Sequence, residues 1–251
     1  MLKTKVVIAI ALAAALAAGA LAFIIAAQPP TGQYEFGAQK GKQWGKQTVD
    51  TRTSHTEQTS LTPEEIAAVL YMREVEKLAR DLYLTLYNAT GEKIFLNLAE
   101  SEQRHMDAVL AIIQKYGLPD PAGSVGEFKN LKIEELYNTL LARASGGLLD
   151  ALLAAAYVEE HDIVDLREML TYVQNPDVRK VFQNLLDASA NHLKSLVREI
   201  ETRFGVKYRP QLLTEEELSQ RARGGGLFEK RRHFFQIYCN YHKVGHYKNM
   251  H

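Results

Sequence analysis

The stretch Val69–Leu86, VLYMREVEKLARDLYLTL, decides the fold. Read at alternating steps of three and four residues it gives Val69, Met72, Glu76, Ala79, Tyr83 and Leu86. That spacing marks the face a helix turns toward other helices. Every position on it is apolar or aromatic except Glu76, which falls in the middle. A carboxylate on a core-facing seam is expensive to bury unless it is paired or metal-bound. The helix has a clear start at Thr62-Pro63-Glu64-Glu65. Thr62 is an N-cap, Pro63 suits the first helical position, and Glu65 can close a capping box. The helix should run to about Asn88.

Working outward, the same spacing predicts three more long helices. The second spans about Glu92 to Tyr116 and is stopped by Gly117 and Pro119. The third follows Gly146-Gly147 and runs from about Leu148 to Val173. The fourth starts at Asn175-Pro176-Asp177, again an N-cap followed by Pro, and continues to about Phe204 before Gly205. Between the second and third lies a long connection with Pro119, Pro121, Gly123 and Gly126, and a short helix near Ile133 to Ala144. There is no strand signal of weight, no Gly-rich phosphate loop and no Gly-x-Ser-x-Gly elbow. The expected fold class is therefore all-α: an antiparallel four-helix bundle of two hairpins joined by one long crossover, the connectivity of ferritin-like bundles.

The other seams are also apolar except near their middles. The second helix gives Phe95, Leu98, Glu102, His105, Val109, Ile112 and Tyr116, and the third Leu152, Ala156, Glu159, Ile163, Leu166, Leu170 and Val173. The fourth gives Val178, Phe182, Leu185, Ser189, His192 and Leu196. In an antiparallel bundle the middles of four helices share one level, so Glu76, Glu102, His105, Glu159 and His192 should converge inside the core. No Lys or Arg lies on the seams to neutralise them. A divalent or trivalent cation fits that charge, and oxygen and imidazole donors without a thiolate suit iron or manganese, and also zinc. One Glu from each of two helices, with Glu-x-x-His from each of the other two, is the di-iron pattern. The fourth helix departs from it, offering Ser189-x-x-His192. Asp162, near Glu159, is the candidate for the missing carboxylate. Glu74 and Glu160 lie off the seams and are expected at the surface. The competing reading is a polar core layer held by hydrogen bonds.

At these residues the sequence resembles the ferritin-like superfamily. Glu76 followed by Tyr83 looks like its first-helix pattern, and Glu102-Gln-Arg-His105 like the second-helix motif of rubrerythrins and bacterioferritins. Within the superfamily the chain most resembles domain of unknown function family 2202, over about residues 62–204. The residues carrying that resemblance are Met72–Asp81, Ser101–Met106, Glu159–Leu166 and Ser189–His192. It implies a metal-binding bundle, with a carboxylate-bridged redox enzyme of oxidase, ferroxidase or peroxidase type as one outcome. A non-catalytic or structural bundle with an incomplete site is the alternative.

The flanks differ in character. Lys3 and Lys5 precede an uncharged apolar run from Val6 to Ala27, ended by Gln28-Pro29-Pro30. Residues 1–27 therefore read as a signal peptide or an N-terminal membrane anchor, with the remainder extracytoplasmic. Residues 28–60, rich in Gln, Gly, Lys and Thr, read as a flexible linker before a bundle spanning 61–205. Residues 206–251 read as a basic, His-containing, disordered tail. Cys239, His242, His246 and His251 only loosely match a zinc knuckle. Cys239 is the single cysteine, so no intrachain disulfide forms. Thirty basic and 30 acidic residues leave no net charge to argue for nucleic acid or an anionic membrane surface. The expected partners are metal ions, the membrane only through the N-terminal segment, and, as an open case, a second copy of the chain.

Overall fold

The computed structural model describes residues 60–221. The N-terminal segment, almost all of the linker and the His-containing end of the tail lie outside them. The described residues form α1 (Pro63–Thr90), α2 (Lys93–Lys115), α3 (Leu131–Ala144), α4 (Leu148–Met169), α5 (Pro176–Phe204) and α6 (Glu215–Arg221), with no strand among them. The all-helical expectation holds. None of these helices is long and apolar enough to cross a membrane.

The helix starts follow the local chemistry. Glu65 N–H donates to Thr62 Oγ1 at 3.2 Å and Thr62 N–H to Glu65 Oε2 at 3.0 Å, the reciprocal box that satisfies two orphan donors. Asn175 caps α5 by accepting from the N–H groups of Asp177 and Val178. The other oxygen of Glu65 reaches across the chain, accepting N–H of Gln174 at 2.8 Å and of Asn175 at 2.7 Å. One buried carboxylate thus holds the entries of α1 and α5 together. At the other ends, Gly91 and Gly205 take the left-handed conformation that closes α1 and α5 (φ 72° and 65°). The helix α4 stops at Met169, short of the expected Val173. There Arg179 of α5 donates to the carbonyls of Leu170 and Val173, so that turn is fixed from outside rather than by further helix.

α1 packs along α2 and α4 along α5, and the two pairs meet through α1–α4 and, most thinly, α2–α5. The seams read from the sequence line the core: Val69, Met72, Ala79, Tyr83, Leu152, Ala156, Ile163, Val178, Phe182 and Leu196 are all essentially inaccessible.

The outer faces of α1 and α4 are covered where Glu74 and Glu160 lie. The connection after α2 crosses the outer face of α1, and residues 206–213 lie on α4. Glu74 and Glu160, expected at the surface, are buried at 3% and 0% exposure. Glu74 accepts N–H of Lys129 at 2.6 Å and of Asn130 at 3.2 Å. Glu160 accepts the Tyr208 hydroxyl at 2.6 Å and N–H of Gln211, Leu212 and Leu213 at 2.8, 2.5 and 2.9 Å. The folded unit therefore does not end at Gly205, because Tyr208 and Leu213 join the core. Lys77 and Asp81, also buried under the crossover, pair at 2.6 Å. Gly126 N–H closes on the same Asp81 oxygen at 3.0 Å, and the Lys77 ammonium sits 4.1 Å from the Phe128 ring centroid.

Replacing Glu160 by Leu strands three backbone donors and a tyrosine hydroxyl together. Glu160→Leu should lose about 3 kcal/mol of stability, at about 1–3 kcal/mol per stranded buried group with partial relief by water. Urea melts measure this, and limited proteolysis should show new cleavage at 206–214. An unchanged urea midpoint would show that the segment does not depend on Glu160.

Candidate metal centre

Mid-length in the core, five of the six predicted ligands fall into two close groups. Glu76, Glu102 and His105 form one group whose donor atoms lie within 4.8 Å, and Glu102, Glu159 and His192 a second. Glu102 belongs to both. His105 Nδ1 is 2.5 Å from Glu102 Oε2 and 3.2 Å from Glu76 Oε2. His192 Nδ1 is 2.8 Å from Glu102 Oε1 and 3.3 Å from Glu159 Oε1. The two imidazole rings stack at 5.4 Å between centroids, 20° from parallel. Helical spacing explains the pairing: residues three apart share a helix face, so Glu102 and His105 enter together from α2.

Asp162, the sixth predicted ligand, lies beside these groups rather than in either. It is fully buried, neither oxygen has a hydrogen-bond partner, and the negative charge it feels most is that of Glu76 and then Glu159. His161 Nδ1 lies 3.9 Å from its Oδ1. Ser189, in the place of a fourth-helix carboxylate, turns its hydroxyl back to the Leu185 carbonyl at 3.1 Å.

Several contacts form a second layer around these groups. The Tyr83 hydroxyl donates to Glu159 Oε1 at 2.6 Å, fixing that carboxylate from α1. Ser101 Oγ lies 3.1 Å from His192 Nε2. Further along α4, the Tyr71 hydroxyl donates to Asp165 at 2.6 Å, and His161 Nδ1 lies 3.4 Å from Asp165. The buried cations of α1 serve other acids: Arg73 binds Asp120 at 2.9 Å and Lys77 binds Asp81.

The electrostatics follow from burying four carboxylates with two imidazoles. Burial opposes charge on Glu102, but the His105 and His192 imidazoles set against its two oxygens outweigh it and hold its carboxyl well below the usual range. Burial pushes Glu76 up to about 8 against the pull of His105. It also raises Glu159 and Asp162, the latter helped by the neighbouring carboxylates. Burial disfavours charge on the imidazoles too, but the facing carboxylates win, raising His105 to about 11 and His192 to about 10.

The donor set fits a metal. Glu76 Oε1, Glu102 Oε1, Glu159 Oε2, both oxygens of Asp162 and His192 Nδ1 are buried without a hydrogen bond. Glu102 Oε1 and His192 Nδ1 are only 2.8 Å apart, yet they are not aligned to bond each other. Buried polar atoms are normally satisfied. Unbonded carboxylate oxygens and an imidazole nitrogen this close together are a donor set that a cation could share.

The fold and site define an all-helical bundle with a carboxylate–histidine cluster in its core. The chain belongs to the family described as uncharacterized protein domain (DUF2202), whose model matches residues 65–223. That match runs beyond Gly205 and takes in the segment packed on Glu160. The uncharacterized protein MJ0754 of Methanocaldococcus jannaschii is 43% identical over 162 residues, 64% of this chain and 87% of that protein. The crystal structure of hypothetical protein MJ0754 from Methanococcus jannaschii is similar with a TM-score of 0.63 at 39% identity, covering 71% of this chain and 99% of that one.

The shifts fix how metal-free stability depends on pH. His105 and His192 bind protons more tightly folded than unfolded, so their stabilisation is complete below the ordinary 6.5 and is lost as pH rises toward about 11 and about 10. Glu76 acts in the same direction between 4.5 and about 8. Glu102 acts oppositely, its stabilisation vanishing as pH falls below 4.5. Metal-free protein should therefore melt highest near about pH 5–6 and progressively lower toward pH 9. Calorimetric melts across that range check the slope, and a rising one would contradict the assignment.

Proposed function

We propose that the chain is an extracytoplasmic metal-binding protein of ferritin-like architecture, an antiparallel four-helix bundle in which α1–α2 and α4–α5 are hairpins and the α3-containing segment is the crossover. Its centre takes two ions, iron or manganese, with zinc also compatible with the donors. Glu76, Glu102 and His105 hold one, and Glu102, Glu159 and His192 the other, with Asp162 supplying the carboxylate that Ser189 does not. The observation that carries this reading is Glu102, whose two oxygens face two different imidazoles at 2.5 and 2.8 Å. A carboxylate so placed is a bridge between two sites rather than a member of one.

Iron or manganese there would supply one-electron chemistry toward dioxygen or peroxide, as in an oxidase, ferroxidase or peroxidase. The chain's own residues limit what can react. The carboxylates are sealed, at 0–1% exposure, while the two His side chains keep 13–14%. Access is thus past the His rings, between α2 and α5, and suits a metal ion or a small oxidant rather than a bulky organic substrate. Tyr83 holds Glu159 in place, and the surrounding Leu98, Val109 and Leu196 exclude water. The orientation of Ser189 favours a second reading, a bundle that stores or senses metal without turnover. Both readings share the same ligands. Membrane contact is confined to the N-terminal segment, nucleic acid has no part, and self-association is compatible with either.

Full-length protein, purified without a histidine tag and stripped of metal, should take up two Mn(II) or Zn(II) ions per chain. Saturation at a hundredfold excess over the dissociation constant should stabilise it by about 2.7 kcal/mol. Glu102→Gln should weaken both uptake steps and His192→Ala only one. A wild type whose melting temperature ignores iron, manganese and zinc alike would sink the reading. For location, protease added to intact cells should digest the bundle; protection until lysis would place it inside.

A further inference from the structure

The two halves of the centre are built differently. Glu76, Glu102 and His105 all come from the α1–α2 pair, which is the most extensively packed in the fold. The other half draws on three helices, with Glu102 from α2, Glu159 from α4 and His192 from α5. It spans the junction between the two pairs, where α2 and α5 pack most thinly of the pairings around the core. Glu159 is fixed by the Tyr83 hydroxyl. His192 is held across that junction by Ser101, whose Oγ lies 3.1 Å from Nε2. Ser101 immediately precedes Glu102, so one turn of α2 carries both the shared carboxylate and the group that orients the imidazole facing it.

We propose that Ser101 is a positioning residue: its hydroxyl fixes His192 through Nε2, keeps Nδ1 turned to Glu102 and Glu159, and thereby sets the affinity of the half that joins the two helix pairs. The proposal rests on the metal-centre reading above. A neutral imidazole carries one N–H and one lone pair. With Nε2–H donated to Ser101 Oγ, the lone pair belongs to Nδ1, the atom 2.8 Å from Glu102 and 3.3 Å from Glu159. Without the hydroxyl, the partly exposed edge of the ring has only water to bond, and water does not select a ring orientation. The α1–α2 half has no such dependence, so the two sites should fill unequally.

The experiment titrates metal-stripped full-length wild type, Ser101→Ala and Ser101→Thr with Mn(II) and with Zn(II) by calorimetry. Wild type should show two uptake steps. Ser101→Ala should weaken one of them by about 10- to 100-fold, the usual effect of losing an outer-shell partner, and leave the other unchanged. Ser101→Thr, which keeps the hydroxyl, should restore it. In Zn(II)-loaded protein the His192 Nε2 proton should give a slowly exchanging proton–nitrogen NMR signal in wild type and Ser101→Thr that is lost in Ser101→Ala. Two unchanged steps in Ser101→Ala, or equal weakening of both, would overturn the role of Ser101 while leaving the centre standing. A wild type that takes up neither metal would overturn the centre, and this proposal with it.

Discussion

Burying a carboxylate inside a helical protein is unfavourable unless its oxygens meet donors, and this fold buries many. The rest of the architecture can be read as answers to that constraint. Glu65 takes backbone N–H groups from the start of α5, Glu74 from the crossover, and Glu160 from the segment after α5. Asp81 takes Lys77, Arg80 and the Gly126 N–H. Asp165 takes the Tyr71 hydroxyl. Each of these acids pins a distant stretch of chain onto a helix. Among the described residues, only the acids of the centre keep buried carboxylate oxygens with no hydrogen bond. That contrast is what favours the metal-binding proposal over a structural polar layer, whose groups would be satisfied as the others are.

The parts legible in sequence were those whose cause is local. A cap, a proline at the first helical position, a glycine past the last, and a three-four seam all act within a few residues. The starts of α1 and α5 and the convergence of Glu76, Glu102, His105, Glu159 and His192 could therefore be read directly. Glu74 and Glu160 were misplaced because seam logic assigns the opposite helix face to solvent, and here loops cover it. The loop that answers Glu160 lies about fifty residues further on (Gln211 is 51 away), beyond any periodicity. A signal was present in Tyr208, Leu212 and Leu213, apolar residues in a stretch that otherwise reads as tail. Ser101 stood in a run that carries the family resemblance, but its contact with His192 was invisible for a related reason, since a serine one residue before a seam position has no meaning until α5 lies opposite it.

The centre also has a polarity that four equivalent helices would not produce. α1 and α4 are covered on their outer faces and supply sealed carboxylates. α2 and α5 keep exposed outer faces and supply the two imidazoles at the rim. Acid is inside and base at the rim. A cation arriving between α2 and α5 would meet the stacked rings first and the shared Glu102 immediately behind them, with Glu76, Glu159 and Asp162 deeper.

The double use of Glu65 has a mechanical meaning. It ties the first turn of α5 to the first turn of α1, so α5 cannot slide along its axis without breaking that clamp. His192 lies 17 residues beyond Asn175 (192 − 175), a lever about 26 Å long at 1.5 Å per residue. A one-turn ratchet of packed helices is a displacement of about 5.4 Å, enough to carry the His192 ring wholly out of register with Glu102. Glu65, far from the centre and never touching it, is the end stop that keeps the two helix pairs in gear.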